Sequence, residues 1–320
     1  MKLRITFIVL ISSLICISSL YIGPKVINPF SMSRLDEEIL FTVRLPRMLT
    51  AMLIGIALGA SGAILQGILR NPLADPYILG ISGGASLMAV AGIVFGFGYA
   101  GFISVQLLAF TGAIITGLIV GLISYRKGAF WHGRLLLAGI GIGFLFSALV
   151  MLILGVSTHE GLRRAMLWMF GELSMSDWDN IPYGIFFILV GLSIALARVK
   201  ALNALMLGDE LAWSLGYNPS RERVVLFVSV CLMVAASVSL GGTIGFVGLL
   251  MPHIVRMTAG ADNAFLIPLS SIAGGALLCF ADLLGRTLFS PTELPAGIIT
   301  ALLGAPYFLY LLRKKEIIGG

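Results

Sequence analysis

Three cysteines and three histidines are the side chains of this sequence that could bind a transition metal, attack a substrate or relay a proton. The cysteines lie inside apolar runs, without CxxC spacing and without a neighbouring histidine, so the pattern does not indicate a metal site. We interpret them as small buried apolar residues. The histidines stand at the edges of apolar runs, which is more typical of interfacial residues than of a proton relay. The residues concerned are Cys16, Cys231, Cys279, His132, His159 and His253.

Two sequence patterns typical of enzymes are absent from the chain. It contains no Walker A nucleotide-binding loop and no HExxH metalloprotease pattern. Paired carboxylates placed for acid–base work are absent as well. The sequence therefore predicts a protein that is not an enzyme, with no catalytic residues, no metal site and no bound cofactor of its own.

Apolar residues dominate the composition. Of the 320 residues, 58% are of the types AVILMFWYC, 39 are glycine and only 11% are charged, whereas soluble domains have about 25% charged residues. A chain of this length could not bury so much apolar surface in one soluble core, so we infer a membrane protein with several spans. The net charge of +6 does not indicate nucleic-acid binding, because basic residues also collect at membrane edges.

The charge-free runs can be counted as transmembrane helices, since a span needs about 20 mostly apolar residues. Two runs, 76–125 and 224–255, are too long for one helix. The first is expected to divide at the glycine-rich turn 96–101 and the second near Gly241 and Gly242. Each of the remaining runs fits one span: 5–23, 48–69, 135–158, 181–197, 263–281 and 294–312. The sequence thus predicts an all-α, polytopic membrane protein with ten transmembrane helices.

Basic residues indicate which helix ends face the cytoplasm. With the N-terminus inside, most of the 21 Lys and Arg residues fall in cytoplasmic segments and most acidic residues fall outside, in agreement with the positive-inside rule. We therefore expect both termini in the cytoplasm. Lys2 and Arg4 precede an apolar run, as in a secretory signal, but no small-x-small cleavage site closes that run. This favours an uncleaved first span.

The predicted spans carry no charged residue near their middle. Ion-driven carriers usually need an intramembrane carboxylate, histidine or lysine, so an ion-coupled secondary transporter of a small solute is the less favoured alternative. We expect the energy for transport to come from another protein. In the second span, Gly55, Gly59 and Gly62 recur at helical spacing on one face, which favours close helix packing over lining of a pathway.

The longest cytoplasmic segment that carries polar residues is 198–223. Its centre, residues 207–215, has the pattern of a short amphipathic helix, which ends at Gly216 and is followed by a turn at Asn218 and Pro219. Such a helix could rest on lipid headgroups or fit a groove in a soluble partner. The residue pattern alone leaves both alternatives open.

Four ordered stretches resemble the FecCD/BtuC-type permeases, which are the membrane subunits of ABC importers for iron-siderophores, haem and vitamin B12. The first is RLPRMLTAMLIGIALGASGAILQGILRNPLADPYILGISGGAS, at residues 44–86. The others are LMLGDELAWSLGYN at 205–218, GGTIGFVGLLMPHIVRMTAG at 241–260 and ADLLGRTLFSPTELPAGIITALLGAPYFLYLLRK at 281–314. The resemblance covers nearly the whole chain.

This resemblance implies a single BtuC-like, type II importer permease domain over residues 1–320, with ten transmembrane helices per subunit. It also implies a second permease subunit, identical or related, an external substrate-binding protein and two cytoplasmic ABC ATPases that bind ATP and Mg²⁺. The chain would lie in the cytoplasmic (inner) membrane of a prokaryote, in contact with lipid and with no nucleic acid. Its substrate would be a metal chelate, with iron-siderophore favoured and haem or cobalamin as alternatives.

The resemblance assigns residues 204–217 to the coupling helix that fits a cleft of the ATPase, and we call them the coupling segment. On this interpretation Leu207, Leu211 and Leu215 bury one stripe in the ATPase, while two adjacent carboxylates meet polar groups of that partner. The residues that match the family pattern are Gly208, Asp209, Glu210, Ser214, Leu215 and Gly216.

On the external side, Arg44, Arg47 and Arg286 are expected at the mouths of helix ends, where a binding protein would dock. For Arg47 and Arg286 the resemblance implies pairing with glutamates of that protein. Two alternatives stay open. Each arginine could anchor a helix end instead, and Asp282, four residues before Arg286, could pair with it inside the chain.

The external segment 161–178 resembles the short outer helix that borders the family's translocation pathway. Leu162, Met166 and Met169 are expected on its pathway face, and Trp168 suits the membrane interface. A plain interfacial helix is the alternative.

The turn 70–76, which two prolines stiffen, resembles the family's cytoplasmic gate loop, and we call it the gate loop. Asn71 and Leu73 occupy the matching gate positions. A second gate at the start of the fifth span usually carries small hydroxyl residues, whereas residues 131–133 read Trp-His-Gly here. The sequence therefore leaves the residues of that gate open.

Overall fold

Helices make up most of the described chain. The computed structural model describes residues 2–96, 102–126, 129–130 and 132–313. The first helices are α1 (Lys2–Tyr21), α2 (Arg34–Glu38), α3 (Leu45–Leu69), α4 (Ile81–Val94), α5 (Phe102–Ser124), α6 (His132–Gly155) and α7 (His159–Met169). The later helices are α8 (Ile181–Ala197), α9 (Val199–Leu207), α10 (Asp209–Ser214), α11 (Pro219–Gly241), α12 (Val247–Ala259), α13 (Asn263–Thr287) and α14 (Ala296–Arg313).

Three short elements complete the described structure. A π-helix, Ile39–Arg44, runs directly into α3, and a 3₁₀ helix, Pro76–Leu79, precedes α4. Strands β1 (Tyr125–Arg126) and β2 (Ala129–Phe130) form one antiparallel pair between α5 and α6. This small hairpin is a minor departure from the predicted all-α class.

The helices reproduce the predicted spans. Within the described residues, six helical stretches are long and apolar enough to cross a membrane, and there is a seventh if α8 and α9, which meet at a 56° bend, are counted as one span. Three shorter apolar helices, α4, α12 and α14, occupy the other predicted spans. The long run 224–255 divides where it was predicted to, because α11 ends at Gly241. The other predicted division, at 96–101, falls mainly outside the described residues.

Close contact between glycine backbones holds the centre of the bundle together. A Cβ atom on Gly62 of α3 would lie 1.9 Å from the Gly248 carbonyl oxygen of α12, and one on Gly55 would lie 2.2 Å from the Gly274 carbonyl oxygen of α13. Any larger side chain would push these helices apart. The packing interpretation of this glycine face is therefore confirmed.

The periphery of the bundle is apolar. Leu14 on α1 and Leu137, Phe144 and Met151 on α6 are each more than 60% exposed in the isolated chain. Such a surface requires lipid or another protein subunit around it. The cysteines agree with their predicted role in packing, since Cys231 and Cys279 are buried and Cys16 is half-buried.

Candidate functional site

The coupling segment is two helices instead of one. The predicted helix over 207–215 is wrong in its bounds, because α9 ends at Leu207 and α10 begins at Asp209. Gly208, with φ of 134°, makes the break, in a backbone conformation that residues with a Cβ rarely adopt. The apolar spacing continues across this break, which is why the sequence pattern did not reveal it.

A Schellman motif ends α10. The Tyr217 N–H donates to the Ala212 carbonyl at 2.9 Å, and the Gly216 N–H donates to the Trp213 carbonyl at 2.9 Å. Gly216 supplies the left-handed conformation that this motif needs, with φ of 86°. Inside the helix, the Ser214 hydroxyl donates to the Leu211 carbonyl. The helix stop predicted at Gly216 thus has a specific geometry.

Four large apolar side chains of the coupling segment are exposed. Leu207, Leu211, Trp213 and Leu215 are between 53% and 67% accessible in the isolated chain, and we call them the coupling surface. Because Leu207 belongs to α9, they do not form the single helical stripe that was predicted. They still form an unpartnered apolar surface around α10, of the kind that a protein interface covers.

The two neighbouring carboxylates of this segment differ in orientation. Asp209 accepts hydrogen bonds from Arg223 at 2.6 and 2.9 Å and also from Arg70. The Arg223 guanidinium and, after it, Arg70 hold the pKa of Asp209 below its usual range against the effect of partial burial. Glu210 is exposed. Asp209 is thus already bound within the chain, although its side chain is 46% exposed, and the contact of both carboxylates with a partner stays a prediction.

The gate loop is held by its own side chains. The Asn71 carboxamide oxygen accepts a hydrogen bond from the Leu73 N–H at 2.9 Å, which forms an Asx turn. Asp75 caps the following 3₁₀ helix by accepting from the Tyr77 N–H at 2.7 Å. Burial raises the pKa of Asp75 to about 6, even though hydrogen bonds from the Tyr77 and Leu249 backbone oppose the shift.

A polar contact behind the gate loop was missed from the sequence. The Gln66 carboxamide oxygen of α3 accepts a hydrogen bond from Arg256 of α12 at 2.9 Å. Its Nε2 lies 3.4 Å from the carbonyl oxygens of Gly248 and Leu249. Gln66 stands in an apolar run of the second span, and a lone amide there is the signal that could have identified it.

A mostly apolar groove of about 710 Å³ lies beside the gate loop. Leu73 and Asp75 line it near the loop, and Met169 and Phe246 also face it. Helix α14 contributes a further wall that includes Ala301. The groove therefore connects the gate loop with the end of the external helix α7.

The external arginines are buried and paired inside the chain. Arg47 donates to Asp282 at 2.8 Å and to Glu293 at 2.7 Å. Arg286 donates to the Ser19 carbonyl and lies 3.9 Å from the Asp282 carboxylate. The alternative of an internal pair between residues 282 and 286 is thus observed.

Arg44 has a similar environment. It donates to the carbonyls of Leu20, at 2.8 Å, and Lys25, just after α1. Arg44, Arg47 and Arg286 are 4%, 7% and 4% exposed. Carbonyl and carboxylate oxygens of this chain therefore occupy these guanidinium groups, and a partner would have to displace one of those oxygens to bind them.

The external helix is shorter than the predicted segment 161–178. It runs over His159–Met169, with the Thr158 side chain accepting from the Gly161 N–H at its start. Trp168 is 8% exposed, so its side chain packs inside the chain and does not face lipid. Of the residues expected on the pathway face, Met169 lines the groove, Leu162 is half-buried and Met166 is 43% exposed.

The second gate cannot be placed from this structure, because Trp131 and the side chain of His132 lie outside the described residues. Gly133 belongs to the first turn of α6. Among the residues that the structure does describe, no group of three or more His, Cys, Asp or Glu side chains is placed to hold a metal ion.

Comparison with known proteins adds to this geometry. A sequence model described as the FecCD transport family matches residues 5–314. The chain is 38% identical to the probable siderophore transport system permease protein YfhA of Bacillus subtilis, over 98% of this chain and 96% of that protein. It is 40% identical to the cobalamin import system permease protein BtuC of Halobacterium salinarum, over 90% of this chain and 77% of that protein.

A solved structure has nearly the same fold. It is an inward-facing conformation of a proposed metal-chelate type ABC transporter, with a TM-score of 0.89 and 33% sequence identity. The alignment covers 98% of this chain and 100% of the chain in the solved structure. The whole described bundle is therefore shared, including the regions that hold the coupling segment and the gate loop.

Proposed function

This chain belongs to the FecCD transport family, and from that premise we propose which of its surfaces meet the other components of an importer and which chelate it carries. The chain is a multi-pass membrane permease of a prokaryotic ABC importer for metal chelates, and it is not itself an enzyme. ATP is used by a partner ATPase, as the family implies.

The coupling surface is the docking site for that ATPase. The observation that carries this proposal is the exposure of four large apolar side chains. Leu207, Leu211, Trp213 and Leu215 expose apolar area that water does not favour. Glu210 and Ser214 border that area, and Asp209 fixes its orientation. The ATPase binds ATP with Mg²⁺, and one ATPase subunit serves each of two permease chains. Both termini of this chain lie on the cytoplasmic side of the membrane, as the coupling segment does.

The groove between the gate loop and α7 is one wall of the translocation pathway. Its lining is mainly apolar and lacks a ring of charges, which suits a bulky chelate that must be released rather than held. A second permease subunit, packed against the exposed face of α6, completes the pathway. Asn71 and Leu73 close it on the cytoplasmic side.

The external binding protein docks over the outer ends of α3 and α13. Arg47 binds a glutamate of that protein after releasing Glu293. The Glu293 side chain is 41% exposed and can therefore be displaced. Arg44 and Arg286 support this surface through their bonds to main-chain carbonyls of α1 and the segment after it.

The transported substrate is an iron-siderophore. Support comes from the 38% identity with a probable siderophore permease that covers almost the entire length of both chains. Haem and cobalamin are the alternative chelates, since related permeases are named for hemin and for cobalamin.

Uptake into proteoliposomes tests this function. The chain is reconstituted with its partner ATPase and binding protein, ATP is enclosed, and uptake of ⁵⁵Fe-labelled ferric siderophore, haem and cyanocobalamin is measured. ATP-dependent uptake of the ferric siderophore is expected. Uptake of haem or cyanocobalamin alone would correct the substrate. Uptake that follows an ion gradient without the ATPase would contradict the proposal and favour a secondary transporter.

A further inference from the structure

Arg70 joins the gate loop to the coupling segment. It is the C-cap of α3 and the first residue of the gate loop, in a left-handed conformation with φ of 48°, and Asn71 follows it directly. Its Nε donates to the Leu205 carbonyl at 2.7 Å, and its Nη2 donates to the Asp209 carboxylate. One guanidinium therefore binds both halves of the coupling segment, the end of α9 and the start of α10.

The same carboxylate reaches a third element. Asp209 accepts two hydrogen bonds from Arg223, near the start of α11, whose side chain is 4% exposed. Asp209 itself is 46% exposed and Arg70 is 34% exposed. The first residue of α10 is thus held between a buried, fixed guanidinium and a partly exposed one that continues into the gate loop.

The chain between Arg70 and the gate residues is short and internally bonded. The Asn71 N–H donates to the Gln66 carbonyl at 3.2 Å, and the Asn71 side chain accepts from the Leu73 N–H. Leu73 lies three residues after Arg70 in this bonded turn, so a movement of Arg70 would also move Leu73. At the other end, Gly208 makes the break between α9 and α10 with φ of 134°, and no atom beyond its chain neighbours lies within 4 Å of where its Cβ would be.

We propose that Arg70 is a positioning residue that transmits movement of the coupling segment to the gate loop through its bonds to Asp209 and the Leu205 carbonyl. The proposal rests on the function proposed above and names the connection by which the ATPase acts on the gate. A merely structural role would affect folding and assembly, whereas this role affects the response of the gate to nucleotide.

Labelling of the gate loop separates these roles. Leu73→Cys is introduced as a reporter, and the chain is assembled with the partner ATPase in nanodiscs. The rate at which a fluorescein maleimide labels the reporter is measured without nucleotide and with ATP plus orthovanadate. The unmodified chain, whose three cysteines are all at least half-buried, gives the background. Arg70→Gln is compared with Arg221→Gln, a matched change of an exposed arginine in the first turn of α11.

The expected result is a nucleotide-dependent labelling rate in Arg221→Gln and loss of that dependence in Arg70→Gln, while both complexes assemble and hydrolyse ATP. An equal response in the two variants would overturn the inference. If Arg70→Gln does not assemble, Arg70→Lys decides, because an ammonium on a flexible stem lacks the fixed fork with which the guanidinium Nε and Nη2 reach the two acceptors. A response weaker than in Arg221→Gln then supports the connection, and an equal response overturns it.

The experiment distinguishes failure of the proposed function from failure of the inference about Arg70. A reporter chain with Arg70 intact that forms no complex with the ATPase would overturn the docking proposal and this inference together. A normal complex in which the gate response survives Arg70→Gln would overturn the inference alone.

Discussion

Arg47 and Asp282 lie 235 residues apart in the sequence, and the Arg47 Nε donates a hydrogen bond to the Asp282 Oδ1 at 2.8 Å. Both side chains are nearly buried, at 8% and 5% exposure. The pair joins the N-terminal end of α3 to the C-terminal end of α13. Glu293, from the segment before α14, binds the same guanidinium at 2.7 Å. This end of the bundle is therefore held by charge as well as by packing.

Asp282→Asn is expected to destabilise the fold. It leaves two buried guanidinium groups, those of Arg47 and Arg286, with less compensation, and breaking a buried ion pair costs about 3–5 kcal/mol. We expect the lower part of that range because Glu293 still binds Arg47. Thermal unfolding in detergent measures the loss.

The matched control for this change is Glu160→Gln, which breaks the exposed pair with Arg164 on α7. Exposed pairs contribute little, so its melting temperature should stay close to that of the unmodified chain. Equal melting temperatures for Asp282→Asn and Glu160→Gln would contradict the structural role of the buried pair.

Trp213→Ala should weaken binding of the partner ATPase without unfolding the permease. Aromatic side chains at the centre of an interface often contribute about 2 kcal/mol or more, which corresponds to at least a tenfold loss of affinity. Biolayer interferometry with nanodisc-embedded chain measures the affinity. Leu118→Ala on α5, at an exposed apolar residue away from the coupling segment, is the control. A similar affinity in both variants would argue against the docking surface.

Gly216→Ala should destabilise the end of α10. A residue with a Cβ in the left-handed conformation costs roughly 1–2 kcal/mol, and the observed φ of 86° requires that conformation. Circular dichroism melting and ATPase affinity should both decrease. Gly141→Ala on α6, where no atom lies within 4 Å of the added Cβ, should be neutral or slightly stabilising because alanine favours the helix. Equal melting temperatures for Gly216→Ala and Gly141→Ala would contradict this prediction.

Asp75→Asn should remove a pH dependence of stability. The folded-state pKa of Asp75 is raised to about 6 by burial, so the folded chain holds this proton more firmly than the unfolded chain, whose aspartate pKa is about 3.9. The contribution of the protonated form is present below about pH 4 and is lost as the pH rises to 6.

Between pH 5 and pH 7 the unmodified chain should therefore lose about 1 kcal/mol more stability than Asp75→Asn. Thermal unfolding of both chains at the two pH values measures the difference, and groups that titrate elsewhere cancel in the comparison. Parallel pH profiles would show that Asp75 is not the group responsible.

Hydropathy and glycine spacing predicted the spans because both follow from local composition. The division of the run 224–255 at Gly241 and the close packing of Gly62 with Gly248 are local or periodic features. The helix break at Gly208 was not predicted, because the leucine spacing continues through it. Boundaries set by a single backbone angle leave little trace in a hydrophobic pattern.

The pairing of distant charges could not be derived from the sequence. Arg47 looks like an exposed arginine at a helix end, and its burial depends on Asp282 and Glu293, more than 230 residues later. Likewise, Asp209 looks like a surface carboxylate of an amphipathic helix until α3 and α11 place Arg70 and Arg223 beside it. The burial of Trp168 was missed for the same reason, because it depends on helices that are remote in sequence.

ATP hydrolysis by the reconstituted complex tests the central claim most directly. The chain and its partner ATPase are placed in nanodiscs, and hydrolysis is measured with the binding protein empty or loaded with ferric siderophore, haem or cobalamin. The account predicts a stable complex whose hydrolysis is stimulated by one loaded binding protein and reduced when Trp213→Ala removes part of the coupling surface. Failure of the chain to bind the ATPase, or hydrolysis indifferent to every loaded binding protein, would contradict it.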